Sequence, residues 1–286
     1  MRRIIVHREG IRVCKTALAS LVLYCLLFSV IDPAQAGVVG KVSCDGRSIG
    51  FAIDITGPIE DATFDEVREV FTKYHQQQNE IANGGICPEK ALKGKPLDFS
   101  AYGHRFSIDS TGGSVIAAMK IGRLLRQERE SVMVEGVCFS ACVFVLAGAV
   151  DRAVFAPGKV GIHRPYLVSY TSDARHEIES ALRLMRDYLR EMDVSPQLAD
   201  DMIAVEPEDN RVLTASQLAS YGLLGVDRAE KQQRAIDQEV RDLEEAKALG
   251  LDRREYNRRK SRAKLLCSGP EASPDCRKMI LQTGQP

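Results

Sequence analysis

The stretch Val134-Glu-Gly-Val-Cys-Phe-Ser-Ala-Cys-Val-Phe-Val-Leu-Ala-Gly148 is apolar almost throughout, so it belongs in a core. It continues the β-prone run Ser131-Val-Met-Val134 and ends with helical character. A buried strand therefore turns into a buried helix. At that turn stands a hydroxyl, Ser140, with Cys138 and Cys142 two residues away on either side.

The same alternation runs along the chain. Residues 50–56 are β-prone and are closed by the turn signal Gly57-Pro58. Phe64, Val67, Val70, Phe71 and Tyr74 recur at helical spacing, and the polar residues 76–95 read as a loop. Phe106-Ser-Ile108 is a strand that runs into Ser110-Thr-Gly-Gly113, and residues 115–125 are helical in pattern. Short strands are expected at Arg152-Ala-Val-Phe155 and Val160-Gly-Ile162. A long helix is expected over residues 172–192, with shorter ones after Ser195-Pro196 and over residues 214–221. Strands and helices alternating across glycine turns predict an α/β fold of crossover units around a largely parallel sheet. From Asp227 to Lys264 the chain becomes charge-dense, with only the narrow stripe Ile236, Val240 and Leu243. That is too little apolar surface for a core of its own, and predicts a solvated helix or a docking arm.

The first 36 residues stand apart. Arg2, Arg3, Arg8, Arg12 and Lys15 form a basic leader, residues 17–31 carry no charge, and Ala34-Gln-Ala36 supplies a small-x-small cleavage pattern. The uncharged run is 15 residues, short of the roughly 20 a spanning helix needs. Residues 1–36 are thus expected to be a signal peptide removed before Gly37, and the protein to be exported to the periplasm. The alternative is an uncleaved helix that anchors it in the membrane. Five cations leave with the leader, together with Glu9 and Asp32, so 39 basic and 39 acidic residues become 34 and 37. A net charge of about −3 argues against nucleic-acid binding, which needs surplus cations to displace counterions. Six cysteines remain, Cys44, Cys87, Cys138, Cys142, Cys267 and Cys276, and an even count in an exported chain favours disulfides. Cys138 and Cys142 either join across the turn or are small buried side chains. Cys267 and Cys276 are close enough for a bond in the tail, leaving Cys44 to pair with Cys87. No C-x-x-C pair with matching histidines occurs, so neither a metal nor a cofactor is expected.

A serine hydroxyl attacks only when a base takes its proton. Four histidines follow the leader: His75 beside a glutamine run, His104 before a strand without a glycine turn, His176 on a charged helix face, and His163. The last ends a short strand in Gly161-Ile-His-Arg-Pro165 and is the best-placed base. Ser110-Thr-Gly-Gly113, a tight turn before a helix, offers backbone N–H groups of the kind an oxyanion needs.

These segments, over about residues 48–226, resemble the proteolytic subunit of the Clp protease and its relatives in the ClpP/crotonase superfamily. Ile53-Asp-Ile-Thr-Gly-Pro-Ile59 is similar to that family's first strand and turn, and Asp109-Ser-Thr-Gly-Gly-Ser114 to its Ser-Pro-Gly-Gly loop, with Thr111 in place of proline. Cys138-Phe-Ser-Ala-Cys-Val-Phe-Val-Leu-Ala-Gly148 resembles the nucleophile segment, Gly161-Ile-His-Arg-Pro165 the histidine segment, and Asn210-Arg-Val-Leu-Thr-Ala215 with Ala219-Ser-Tyr-Gly-Leu223 the closing one. The resemblance implies a ClpP/crotonase-like fold of repeated β-β-α and βαβ units over residues 37–227, followed by a charged helical tail over 228–286. It also implies that Ser140 is the nucleophile, His163 the base, and that the N–H groups of Gly113 and Ala141 hold the oxyanion. The third position, an aspartate in the family, is Asn210 here. Its amide oxygen can orient the imidazole without stabilising its charge. Asp209 is the substitute if the local turn lets it reach; otherwise both merely cap that turn.

Two alternatives on the same fold fit less well. A Ser-Lys dyad has no base, because no lysine lies between Lys159 and Lys231. Acyl-CoA chemistry leaves the Ser140–His163 pairing unexplained. No G-x-x-x-x-G-K loop occurs either. The expectation is an exported serine peptidase that works on peptides or unfolded segments without an ATPase partner. The resemblance further implies a homo-oligomer, with Ile178, Leu182, Met185 and Leu189 on the helix that mediates contacts between rings; the alternative is that this stripe simply covers its own sheet. The competing reading is a weak or inactive relative kept as a binding or scaffold module, which Asn210 favours.

Overall fold

The computed structural model describes residues 37–45, 48–85, 103–165, 174–268, 273 and 275–285. The expected signal segment and Cys87 lie outside them. The chain divides into one compact unit up to Leu223 and another from Leu224 onward.

In the first unit β1 (Gly37–Asp45) runs antiparallel to β2 (Ser48–Thr56), which is followed by helix α1 (Asp61–Ala82). Then come β3 (His104–Ser110), α2 (Val115–Glu128), β4 (Ser131–Phe139) and α3 (Cys142–Gly148). β2, β3 and β4 are mutually parallel, and Phe51, Ile53, Ile55, Phe106, Ile108, Val132 and Val134 are buried along them. Sequential parallel strands need crossover helices, which α1 and α2 supply.

β5 (Asp151–Val154) and β6 (Lys159–Ile162) share one edge of β4. Ser131–Val134 pair with β5 and Val137–Phe139 with β6, both in parallel. At the break between these two partners, the Asp109 carboxylate accepts the Val137 N–H at 2.8 Å. β7 (Arg211–Val212) returns antiparallel on β6, and the long α4 (Ala174–Glu191), α5 (Gln197–Ile203) and α6 (Ala215–Tyr221) complete the unit. Met185, Tyr188 and Leu189 of α4 are buried, whereas Ile178 and Leu182 are only partly so. The Arg152 side chain is buried too. Its guanidinium donates to the carbonyls of Ala147 at 2.7 Å, Met192 at 2.9 Å and Gly222, tying three chain segments together.

Two expectations are corrected here. The polar run 76–82 is helix, because α1 continues through it to Ala82; its second half is held by side-chain bonds between His75 and Gln78 and between Gln78 and Tyr74. The stretch 227–264, expected to be a solvated helix or a docking arm, shares small clusters with residues 276–281. In the second unit α7 (Arg228–Ala248), α8 (Arg253–Leu266) and α9 (Cys276–Thr283) bury Ala246, Tyr256 and Leu281 in one cluster and Ala263, Cys276 and Ile280 in another. A Cys267–Cys276 disulfide holds α9 against α8. The stripe Ile236, Val240 and Leu243 lies about half exposed, at 48 %, 49 % and 45 %.

Candidate active site

Parallel strands present their carboxyl ends at one edge of a sheet, where open α/β folds place their ligand crevices. Phe139 of β4 lies opposite Gly161 of β6, and Ser110 of β3 opposite Cys138. Ser140, one residue past β4, and His163, one residue past β6, therefore leave neighbouring strands at the same level. Both line an open cleft of about 730 Å³, together with Gly112 and Gly113 from the loop after β3 and with Leu184 and Met185 of α4.

Ser140 forms a sharp elbow between β4 and α3. Its φ is 54°, a left-handed conformation that an L-residue adopts only when its surroundings impose it. Its N–H donates to the Gly161 carbonyl at 3.0 Å, and its own carbonyl accepts from Val143 at 3.1 Å, opening α3. Every residue of α3 is buried, yet Ser140 itself is partly exposed. The disulfide alternative holds: Cys138 and Cys142 are bonded across the elbow, with Cα atoms 5.2 Å apart.

The loop after β3 is clamped against the Gly57-Pro58 turn. Ser110 Oγ donates to the Gly57 carbonyl at 2.5 Å and accepts from the Gly112 N–H at 3.1 Å. Ile59 N–H reaches the Gly112 carbonyl and Ser114 N–H reaches the Ile59 carbonyl, both at 2.7 Å. Gly112 and Gly113 have φ of 104° and 140°. A Cβ on Gly112 would sit 2.7 Å from Ser140 Cβ and 3.0 Å from the Ala141 nitrogen. Glycine thus lets the loop touch the elbow. The bridge to Ile59 uses the Gly112 carbonyl and the Ser114 N–H, and not the N–H of Gly113. Among the described residues the N–H groups of Gly113 and Ala141 have no hydrogen-bond partner.

His163 is buried, and its Nδ1 lies 2.7 Å from the Arg164 carbonyl oxygen. A carbonyl only accepts, so Nδ1 carries the proton and Nε2 of the neutral ring carries the lone pair. The accepting carbonyl is itself fixed, because Arg164 N–H donates to Val205 at 2.9 Å and its guanidinium pairs with Glu206. Sequence reasoning missed this acceptor, since it exists only through a local backbone turn. β7 pairs Arg211 with Ile162 and its ladder ends there; Asn210, the residue before β7, and Asp209 are both exposed. Tyr188 Oη donates to the Phe144 carbonyl at 2.6 Å beneath α3, and burial pushes this hydroxyl far above the usual phenol range, keeping it a neutral donor.

Residues 104–228 match the family model described as Clp protease. That span holds Ser140, His163, Gly113 and Asn210. Among solved structures, the 1510-N membrane-bound stomatin-specific protease, in a variant with a serine replaced by alanine, is similar at 17% identity and a TM-score of 0.40, covering 60% of this chain and 75% of that one. No curated protein matches the chain. The mixed α/β architecture, its mostly parallel sheet and its helical C-terminal region agree with the ClpP/crotonase-like fold expected from the sequence.

Proposed function

We propose that the chain is a serine-type peptidase in which Ser140 is the nucleophile, His163 the general base and the N–H groups of Gly113 and Ala141 the oxyanion hole. One observation carries this reading: a serine held at φ 54° shares a cleft with a histidine whose Nδ1 is already committed as a donor, beside two unpartnered backbone N–H groups. As Oγ attacks the scissile carbonyl, Nε2 takes its proton and later delivers it to the leaving amine. The negative oxygen of the tetrahedral intermediate meets the N–H groups of Gly113 and Ala141. Water then releases the acyl group by the same steps in reverse. Ile116 and Leu184, 48 % and 40 % exposed at the cleft, offer an apolar surface to a substrate side chain.

The substrate would be a peptide or an unfolded segment, handled outside the cytoplasm, without an ATPase, by a homo-oligomer. Hydrolysis of a peptide library by wild type, Ser140→Ala and His163→Ala tests the chemistry. Both variants should lose turnover while remaining folded. The double variant should be little worse than either, because residues acting as one unit do not add. Wild-type turnover in Ser140→Ala would put the nucleophile elsewhere.

A second reading, a weakly active relative used for binding, has its own observation. Asn210, at the position where the resembled family has an aspartate, is an exposed amide, which cannot balance the charge of an imidazolium. Asn210→Asp should then raise turnover. Asn210→Ala should change it little, since the Arg164 carbonyl already receives Nδ1–H.

A further inference from the structure

We propose that the Cys138–Cys142 disulfide is the positioning device of this site, and that Ser140 reaches its working rate only once the bond has formed; the kinetic half of this proposal rests on the peptidase reading above. Cys138 is the penultimate residue of β4 and Cys142 the first of α3, and both side chains are fully buried. The bond therefore spans three residues, Phe139, Ser140 and Ala141. Among them are the proposed nucleophile and the donor of one proposed oxyanion N–H.

Ser140 at φ 54° is unfavourable for an L-residue and persists only under restraint. Its N–H is tied to Gly161 and its carbonyl to Val143, and Gly112 fills the space beside it. The seven residues of α3 are buried, with the Phe144 and Ala147 carbonyls held by Tyr188 and Arg152. These contacts hold the strand and the helix on either side; the disulfide ties the two directly across the three residues of the elbow. Without it the Ser140 backbone can relax toward the extended or right-handed region, carrying Oγ and the Ala141 N–H away from the cleft together.

Burial of both sulfurs closes the folded chain to thiol reductants, so the bond is set as the chain folds and does not cycle afterwards. Its formation joins the two Sγ atoms, releases both thiol protons and passes two electrons to a disulfide-exchange oxidant, which leaves as two thiols. A chain folded with its thiols reduced would hold the same side chains with a slow nucleophile. One folded in an oxidising setting would be competent.

The test compares wild type with the Cys138→Ala/Cys142→Ala pair, by peptide hydrolysis and by hydrogen–deuterium exchange over residues 137–144. The pair is expected to lose about 10- to 100-fold in kcat with KM little changed, the cost of a nucleophile displaced by about an ångström. Exchange should rise across the elbow and not across α1. Wild type refolded with its thiols kept reduced should behave like the pair, and the same chain unfolded and refolded with oxidised glutathione should recover. That arm keeps the native side chains, so it decides the matter if the alanine pair fails to fold. A folded pair with wild-type exchange across the elbow overturns the proposal, whatever its kcat. Ser140→Ala, run alongside, tests the peptidase reading separately. If it keeps turnover that reading falls, and the disulfide is judged on exchange alone.

Discussion

Gly112 shows most sharply how little room the site leaves. The loop after β3 reaches the elbow only because position 112 has no Cβ; an added methyl would lie 2.7 Å from the Phe139 carbonyl oxygen as well as from Ser140 Cβ. Backbone atoms cannot yield as a flexible side chain can. At a φ of 104° the substitution is also strained in itself. Gly112→Ala is expected to lower kcat by about 100-fold, the cost of misplacing the reacting groups, with a smaller loss of stability. Rates and a urea melt on the same preparation check it; a variant with wild-type kcat would show that the contact is not needed. The sequence put Ser140 where a strand turns into a helix, and Gly113 and His163 where a β-prone run meets a glycine turn and a proline; the three line one cleft. The acceptor of the His163 Nδ1–H was not legible there, since a carbonyl one residue away carries no signature of its direction.

At the scale of elements, the site is assembled by β4 exchanging partners along one edge, from β5 to β6. The two short strands were read separately from Arg152-Ala-Val-Phe155 and Val160-Gly-Ile162. Their placement end to end on one neighbour depends on pairing across the sheet, which local pattern does not encode. β1 was not expected at all: it stands on the edge of the sheet and alternates only weakly, with Val39 66 % exposed. Arg152 carries the element scale energetically, since one guanidinium satisfies carbonyls at the ends of α3, α4 and α6. Arg152→Leu would leave those carbonyls unpaired and is expected to cost on the order of 3 kcal/mol. Chemical denaturation measures it, and a loss under about 1 kcal/mol would mean that water or neighbouring donors take over.

For the whole molecule, residues 227–264 were read as lacking a core of their own, and they bury apolar side chains only together with residues 276–281. The reason lies in sequence distance. Tyr256 is buried beside Ala246 and Leu281, and Cys276 and Ile280 beside Ala263, so the apolar surface closes only when α9 returns to α8. Cys267→Ser/Cys276→Ser should release that return, seen as lost helicity and a protease cut near residue 275 while peptide hydrolysis persists. The unit should also loosen in acid. Burial works to raise the Asp242 carboxyl, but its bonds to Lys260, Gln238 and Tyr256 outweigh that and hold its pKa below the usual carboxylate value. A depressed folded-state pKa gives stability that is present above the ordinary carboxylate range and is lost as pH falls through the lowered value. Circular dichroism of Lys260→Ala against wild type should show the mutant losing helicity at higher pH. Assembly belongs to the same scale: light scattering at micromolar concentration is expected to give a mass above one chain, and a monomer would remove the homo-oligomer from the account.

The central claim is that Ser140 is an activated nucleophile. Fluorophosphonate labelling followed by peptide mapping tests it most directly, because the reagent bonds only to a serine whose proton is being taken. The adduct is expected on Ser140 in wild type and should be absent in Ser140→Ala and strongly reduced in His163→Ala. A folded, disulfide-bonded protein that stays unlabelled, or that carries the adduct on another residue, would contradict it.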